Sequence, residues 1–242
     1  MNTLMDMLRR DDLVALAIFI TCWLGYETFV AVRIRRGHGL PAAMQAWRRD
    51  WLEAAATREN RIIDIQILRS LAGNSAFMAS TSIFVVGGLA AVFGASEQAV
   101  AVLNRFRFLV ETSQDRFGLK IALLIFIFIN AFFRLAWSMR LHNNAAVVLG
   151  AIPQPEFEDL RQVGRERADV SAELTSLAAR HYNGGVHSYY FGLAVCTWFV
   201  HPFAFIAASL WVVAVLHRRE FRSRALHTVR REQSQAARRT PS

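Results

Sequence analysis

The sequence predicts an all-α, polytopic membrane protein: a four-helix transmembrane bundle with helical loops outside the membrane. Three observations carry that reading. Apolar residues make up 54% of the 242 and are gathered into four blocks. The charged residues, 19% of the total, fall between those blocks. The third block holds one polar residue, Asn130, between Ile121 and Phe133, a composition at home in lipid. The expected organisation is one membrane domain over 1–220, with spans at about 13–32, 72–94, 117–137 and 186–216. A basic tail over 221–242 is expected to be disordered or adsorbed on anionic lipid.

Leu13 to Val32 is long enough to cross a hydrocarbon core of roughly 30 Å at about 1.5 Å per residue. Arg33, Arg35 and Arg36 close it at headgroup level. The residues before it carry three Asp, the apolar run is too long and no small-residue cleavage site follows it, which argues against a cleaved signal peptide. Pro41 then sets a helix start, and Leu40, Met44, Trp47 and Trp51 recur at helical spacing. With Arg48 and Arg49 on the other side, the pattern predicts a helix lying in the membrane interface. Packing on the protein's own loops is the alternative.

From Glu59 the helical pattern runs without a breaker into the second span. That span spaces small residues four apart, as at Ala72, Ala76 and Ser80 or Gly87 and Ala91, which lets another helix approach closely in lipid. Ser96 to Arg116 is a charged connection, and Lys120 follows where it can snorkel to the interface. After the third span, Pro153 and Pro155 break the chain, and Phe157 to His181 reads as a helix stopped by Asn183-Gly184-Gly185. The fourth block, Val186–Leu216, is read as one tilted helix kinked near Pro202, or alternatively as re-entrant.

The formal net charge is +9, from 27 Arg and a single Lys. In a soluble protein that balance would suggest nucleic acid. Here the Arg residues flank apolar blocks, so the expected partners are the bilayer and its anionic headgroups, with no nucleic acid. The positive-inside rule does not orient the bundle, because each side of a four-span topology collects 13 Arg. A multi-pass protein of the cell membrane, in a bacterium the inner membrane, is expected.

Antiparallel threading gathers polar residues at one membrane face: Glu27, Asn74, Arg134, Arg140, His142, Asn143, Asn144, Tyr182, Asn183 and His187. Glu27 and Arg134 would lie at similar depth and are expected to pair, since either alone in lipid costs about 2.5–3.5 kcal/mol. Asn130 and His187 extend a candidate polar pocket or path. The two cysteines, Cys22 and Cys196, sit in apolar segments without CxxC spacing. There is no HExxH, HxxxH, GxSxG or phosphate loop, and His187 and His201 share a helix face about 21 Å apart. His201, beside Pro202, reads as a hydrogen-bonded packing residue at the kink. No catalytic residue, metal ligand or cofactor is therefore assigned.

Three motifs carry a resemblance: RENRIIDIQILRSLAGNSAFMASTSIF at 58–84, FRLAWSMRLHN at 133–143 and HYNGGVHSYYFGLAVCTWF at 181–199. In this order they resemble the DUF599 family of bacterial and plant membrane proteins, over roughly residues 10 to 220. The resemblance implies a four-span helical protein and transfers no activity. The leading expectation for function is a binding or scaffold subunit that self-assembles or joins a membrane complex. A transporter or channel subunit using Glu27, Asn130, Arg134 and His187 is the alternative, and a membrane-embedded enzyme acting on lipid is a weaker one.

Overall fold

The computed structural model describes residues 10–105, 113–154 and 156–239. Residues 1–9 (with the first of the three N-terminal Asp), part of the charged connection, Pro155 and the last three residues lie outside them. Among the described residues there is no strand. Eight α-helices follow in order among these residues: α1 Arg10–Arg35, α2 Leu40–Ala56, α3 Ile62–Gly94, α4 Ser96–Leu103, α5 Gln114–Gly150, α6 Arg161–Cys196, α7 Pro202–Phe221 and α8 Arg224–Arg239. Four stretches are long and apolar enough to cross a membrane: α1, α3, α5 and the stretch from Pro202 to Glu232. The chain is an all-α protein of multi-pass membrane type.

Contacts divide the chain into two compact units. The first comprises Met1–Val30, Ser80–Phe133 and Gly184–Leu216. The second comprises Ala31–Ala79, Arg134–Asn183 and His217–Ser242. Helices α3, α5 and α6 each contribute residues to both units.

The first unit has an aromatic interior. On α1, Asp12, Ala15, Phe19, Trp23 and Tyr26 are buried at three- and four-residue intervals, one face of a 3.6-residue repeat. Val14, Ile20, Leu24 and Phe29 on its other faces are exposed and apolar, as a lipid-facing helix requires. Phe19 meets Phe191 at 5.8 Å and Phe205 at 5.0 Å between ring centroids, and Trp198 stacks on Phe205 at 5.0 Å. Gly192 permits the approach of α5, because a Cβ there would lie 3.0 Å from the Phe128 ring.

The fourth apolar block differs from the expected single kinked helix. Gly184-Gly185 does not stop α6. Both glycines are buried within it, and among the described residues only Gly37 and Gly39 take positive φ. The break comes later, as a 3₁₀ turn over Thr197–Phe199. Pro202 opens α7 because it lacks an N–H and disfavours helix at the residue before it. His201 is exposed rather than packed, and its Nδ1 accepts the Phe203 N–H at 3.2 Å, capping the new helix. The fourth candidate span therefore begins at Pro202, not at Val186.

The same proline explains Lys120. Four residues before Pro202, the Trp198 carbonyl has no helical N–H to accept. It takes a hydrogen bond from Lys120 Nζ at 2.9 Å instead, while Trp198 Nε1 donates to Asp12 at 2.7 Å. Lys120 is only 4% exposed, so it does not snorkel; a freed carbonyl and two aromatic rings hold it inside.

In the second unit, α1 ends in a Schellman turn: Gly37 (φ +74°) donates to the Ile34 carbonyl and His38 to that of Arg33. The core of this unit is small and aliphatic: Leu52, Ala55, Leu68, Ala145, Leu149, Ile152, Ala168 and Ala172. The tail, expected to be disordered, is helical from Arg224. Ser223 Oγ accepts the Leu226 N–H at 3.2 Å as an N-cap, and Leu226 is buried where α8 packs on α2.

Candidate functional site

The corner between α2 and α3 is built by the motif that begins at Arg58. Arg61 is buried, and its guanidinium donates to four carbonyls. Nε reaches Ala55 at 3.0 Å and Nη2 reaches Ala56 at 3.2 Å, both at the C-terminal end of α2. Nη1 reaches Ile152 and Nη2 reaches Pro153, both at 2.8 Å, just past the end of α5. Helix C-termini carry unsatisfied carbonyls and partial negative charge, and one planar cation satisfies two of them together. Asp64 is 1% exposed and accepts from Trp51 Nε1 at 2.7 Å and Arg58 Nη1 at 2.5 Å. Much of this motif is therefore scaffold.

The scaffold shapes a cleft of about 430 Å³ lying wholly within the second unit. From α2 it is lined by Met44, Trp47, Arg48 and Trp51, and from α3 by Ile67, Leu71, Asn74 and Ser75. His142 on α5 and Ala179, Tyr182 and Asn183 on α6 complete it. Ser75 Oγ donates to the Leu71 carbonyl at 3.0 Å and lies 3.1 Å from Ser138 Oγ, so it is satisfied. Trp47 Nε1 is buried and has no hydrogen-bond partner. Burial lowers the pKa of Arg48 from its ordinary value, because desolvation disfavours the charged form.

This placement revises the reading of α2. Trp47 and Trp51 line the cleft, and Trp51 packs against the core. The opposite face, with Gln45, Arg49, Asp50 and Glu53, is exposed and polar, and Arg49 Nε lies 3.5 Å from Asp169. The helix has one apolar face, and the protein itself covers it. Of the residues expected at the membrane interface, Trp47, Arg48 and Trp51 thus face the chain's own helices, and Arg49 is exposed.

Of the other residues singled out from sequence, Asn74 joins the cleft, with His142, Tyr182 and Asn183 of the expected polar face. Arg140 is exposed on α5. Arg134 belongs to the second unit, where it and Arg180 add to burial in lowering the pKa of His181. Glu27, Asn130 and His187 belong to the first unit. There Glu27 accepts from Trp23 Nε1 at 3.2 Å, and Asn130 donates to Ser188 Oγ at 3.0 Å. His187 is buried edge-on to Tyr26 at 5.5 Å. Sequence reasoning missed Arg61 and Asp64, whose signal was charge beside an apolar helical run. Among the described residues, no three His, Cys, Asp or Glu side chains gather closely enough to hold a metal.

A family model described as protein of unknown function, DUF599, matches residues 14–225. No curated protein and no solved structure matches the chain.

Proposed function

We propose that the chain, which belongs to the DUF599 family of proteins of unknown function, is a multi-pass membrane protein that acts by binding. In this reading the second unit holds a ligand in its cleft, and the first unit anchors it in the membrane, in a bacterium the inner membrane. The observation that carries the proposal is the contrast within the second unit between satisfied and unsatisfied polar groups. Arg61 has four acceptors, whereas Trp47 Nε1 in the cleft wall has no partner. A buried donor without an acceptor costs about 1–3 kcal/mol, which a ligand offsets on binding.

A scaffold role within a larger membrane complex is part of the same proposal. Gly87 and Ala91 on α3 are exposed at four-residue spacing, and nothing approaches the position of a Gly87 Cβ. Native mass spectrometry of the protein, mildly extracted from its own membrane, tests both parts. A retained small molecule that is lost in Arg48→Gln is the expected result. A defined oligomer or stoichiometric protein partner supports the scaffold role. Bare protomers in every preparation would sink the proposal.

Transport is the second reading, favoured by the Asn130–Ser188 hydrogen bond inside an otherwise apolar stretch. Ion flux in proteoliposomes that disappears with Asn130→Leu would establish it over binding alone.

A further inference from the structure

We propose that the cleft of the second unit binds an amphiphilic oxyanion: a phosphate-like headgroup on a short apolar chain or ring. The headgroup lies on Arg48, and the apolar part lies along Trp47 and Trp51. The inference rests on the reading of the cleft as a binding site and adds the chemical class of its ligand.

Charge comes first. Arg48 lines the cleft in a partly desolvated position, and among the described residues no hydrogen bond or ion pair gives it an acceptor. His142, which is 3% exposed, lines the same cleft and supplies no negative charge to it. No carboxylate lines the cleft. A guanidinium taken out of water without a counter-charge is costly, and an oxyanion supplies both the charge and a planar acceptor for its N–H fork.

The Trp47 indole points the same way. Trp47 Nε1–H can only donate and has no acceptor. The Asn74 and Asn183 amides and the Tyr182 hydroxyl can donate or accept, so they accommodate an oxyanion without selecting it. A cation would be repelled by Arg48, and a neutral ligand would leave it uncompensated. The rest of the wall is apolar, including Met44, Ile67 and Leu71. At about 430 Å³ the space falls in the range of sites that enclose a small organic molecule. An inorganic ion would fill only the polar end.

The oxyanion can belong to a membrane phospholipid or to a soluble amphiphile, and the test separates the two. Full-length protein in phosphatidylcholine nanodiscs is titrated with hexyl phosphate, inorganic phosphate and hexanol, and both tryptophan fluorescence and the unfolding midpoint are followed. Hexyl phosphate is expected to saturate and to raise the midpoint, because a ligand of the native state stabilises it. Inorganic phosphate and hexanol bind more weakly. Arg48→Gln weakens hexyl phosphate roughly ten-fold or more, by loss of a charge-assisted hydrogen bond. Arg69→Gln, an exposed charge on α3, leaves it unchanged. Without ligand, Arg48→Gln is expected to unfold at the same temperature as wild type or higher, since it removes an uncompensated charge. A lower midpoint would show that Arg48 is compensated and would overturn the inference.

In nanodiscs containing phosphatidic acid, a reduced apparent affinity for hexyl phosphate identifies the lipid as occupant. An unchanged affinity identifies a soluble amphiphile; both results support the oxyanion class. Hexanol binding as tightly as hexyl phosphate, with Arg48→Gln indifferent, overturns the class while the cleft stands as a binding site. No response to any of the three probes overturns both.

Discussion

The two units solve the same problem, burying polar groups among helices, in opposite ways. In the first, the interior is aromatic and the buried polar groups answer one another. Lys120 takes the Trp198 carbonyl, Trp198 takes Asp12, Asn130 takes Ser188, and the Ser82 and Tyr189 hydroxyls lie 2.9 Å apart. In the second, the interior is Ala-rich and permits close helix packing, and Arg61 and Asp64 fix the corner. The second unit nevertheless leaves Trp47 Nε1 in the cleft wall and one Asp64 oxygen at the corner without a partner. The polar groups named in the first unit are paired, and those of the second only in part.

The strongest challenge to that contrast is Arg61→Ala. It strands four carbonyls at two helix ends and should cost about 3–5 kcal/mol. Hydrogen exchange should rise in α2 and in the last turns of α5, with the surroundings of Phe19 unchanged. An equal rise in both units would show that they are one cooperative body. Next is Phe19→Ala in the first unit, expected to cost about 2–3 kcal/mol by chemical denaturation in mixed micelles. That is below the value for a water-solvated core, because lipid replaces water as the competing environment.

Two hydrogen-bond deletions sharpen the difference between the units. Trp51→Phe removes a donor from the buried Asp64 carboxylate and should cost about 1.5–2 kcal/mol. Ser82→Ala removes a neutral bond to Tyr189 and should cost only about 0.6 kcal/mol. Similar losses for the two would remove the energetic distinction. The smallest effect is expected from pH. Burial, helped by Arg134 and Arg180, lowers the pKa of His181, so the folded state resists its protonation. As pH falls below the ordinary imidazole value of 6.5, the unfolded chain takes up a proton that the folded chain does not, and stability declines. His181→Gln should lessen the fall of the unfolding midpoint between pH 7 and 5.

The helical class, the family and the unbroken run into α3 were legible because each rests on a long periodic pattern. The fourth block was not. A Gly-Gly pair and a proline compete as helix breakers, and only packing decides that buried Gly184 and Gly185 remain helical while Pro202 ends the run. Lys120 was misplaced because its acceptor is a carbonyl freed by a proline 82 residues further on. In the cleft, Asn74, Trp47, Arg48 and Trp51 were each visible, but as members of different features. Spacing shows that α2 has two faces and does not show which one the protein covers. Ser223 was a readable N-cap, hidden by the polarity of the tail behind it.

The reach of Arg61 has a consequence for how the protein is made. Two of its acceptors lie next to it in the chain, but the others, Ile152 and Pro153, come 91 and 92 residues later. During synthesis the α2–α3 corner is complete long before the carbonyls that finish its coordination exist. Long-range closure of this kind is slow and depends on order of arrival. The cleft borrows its walls from α5 and α6, so it takes shape only after the third span has been threaded and its far end has returned. A chain ending before Ile152 lacks two of the four acceptors that Arg61 uses in the finished fold.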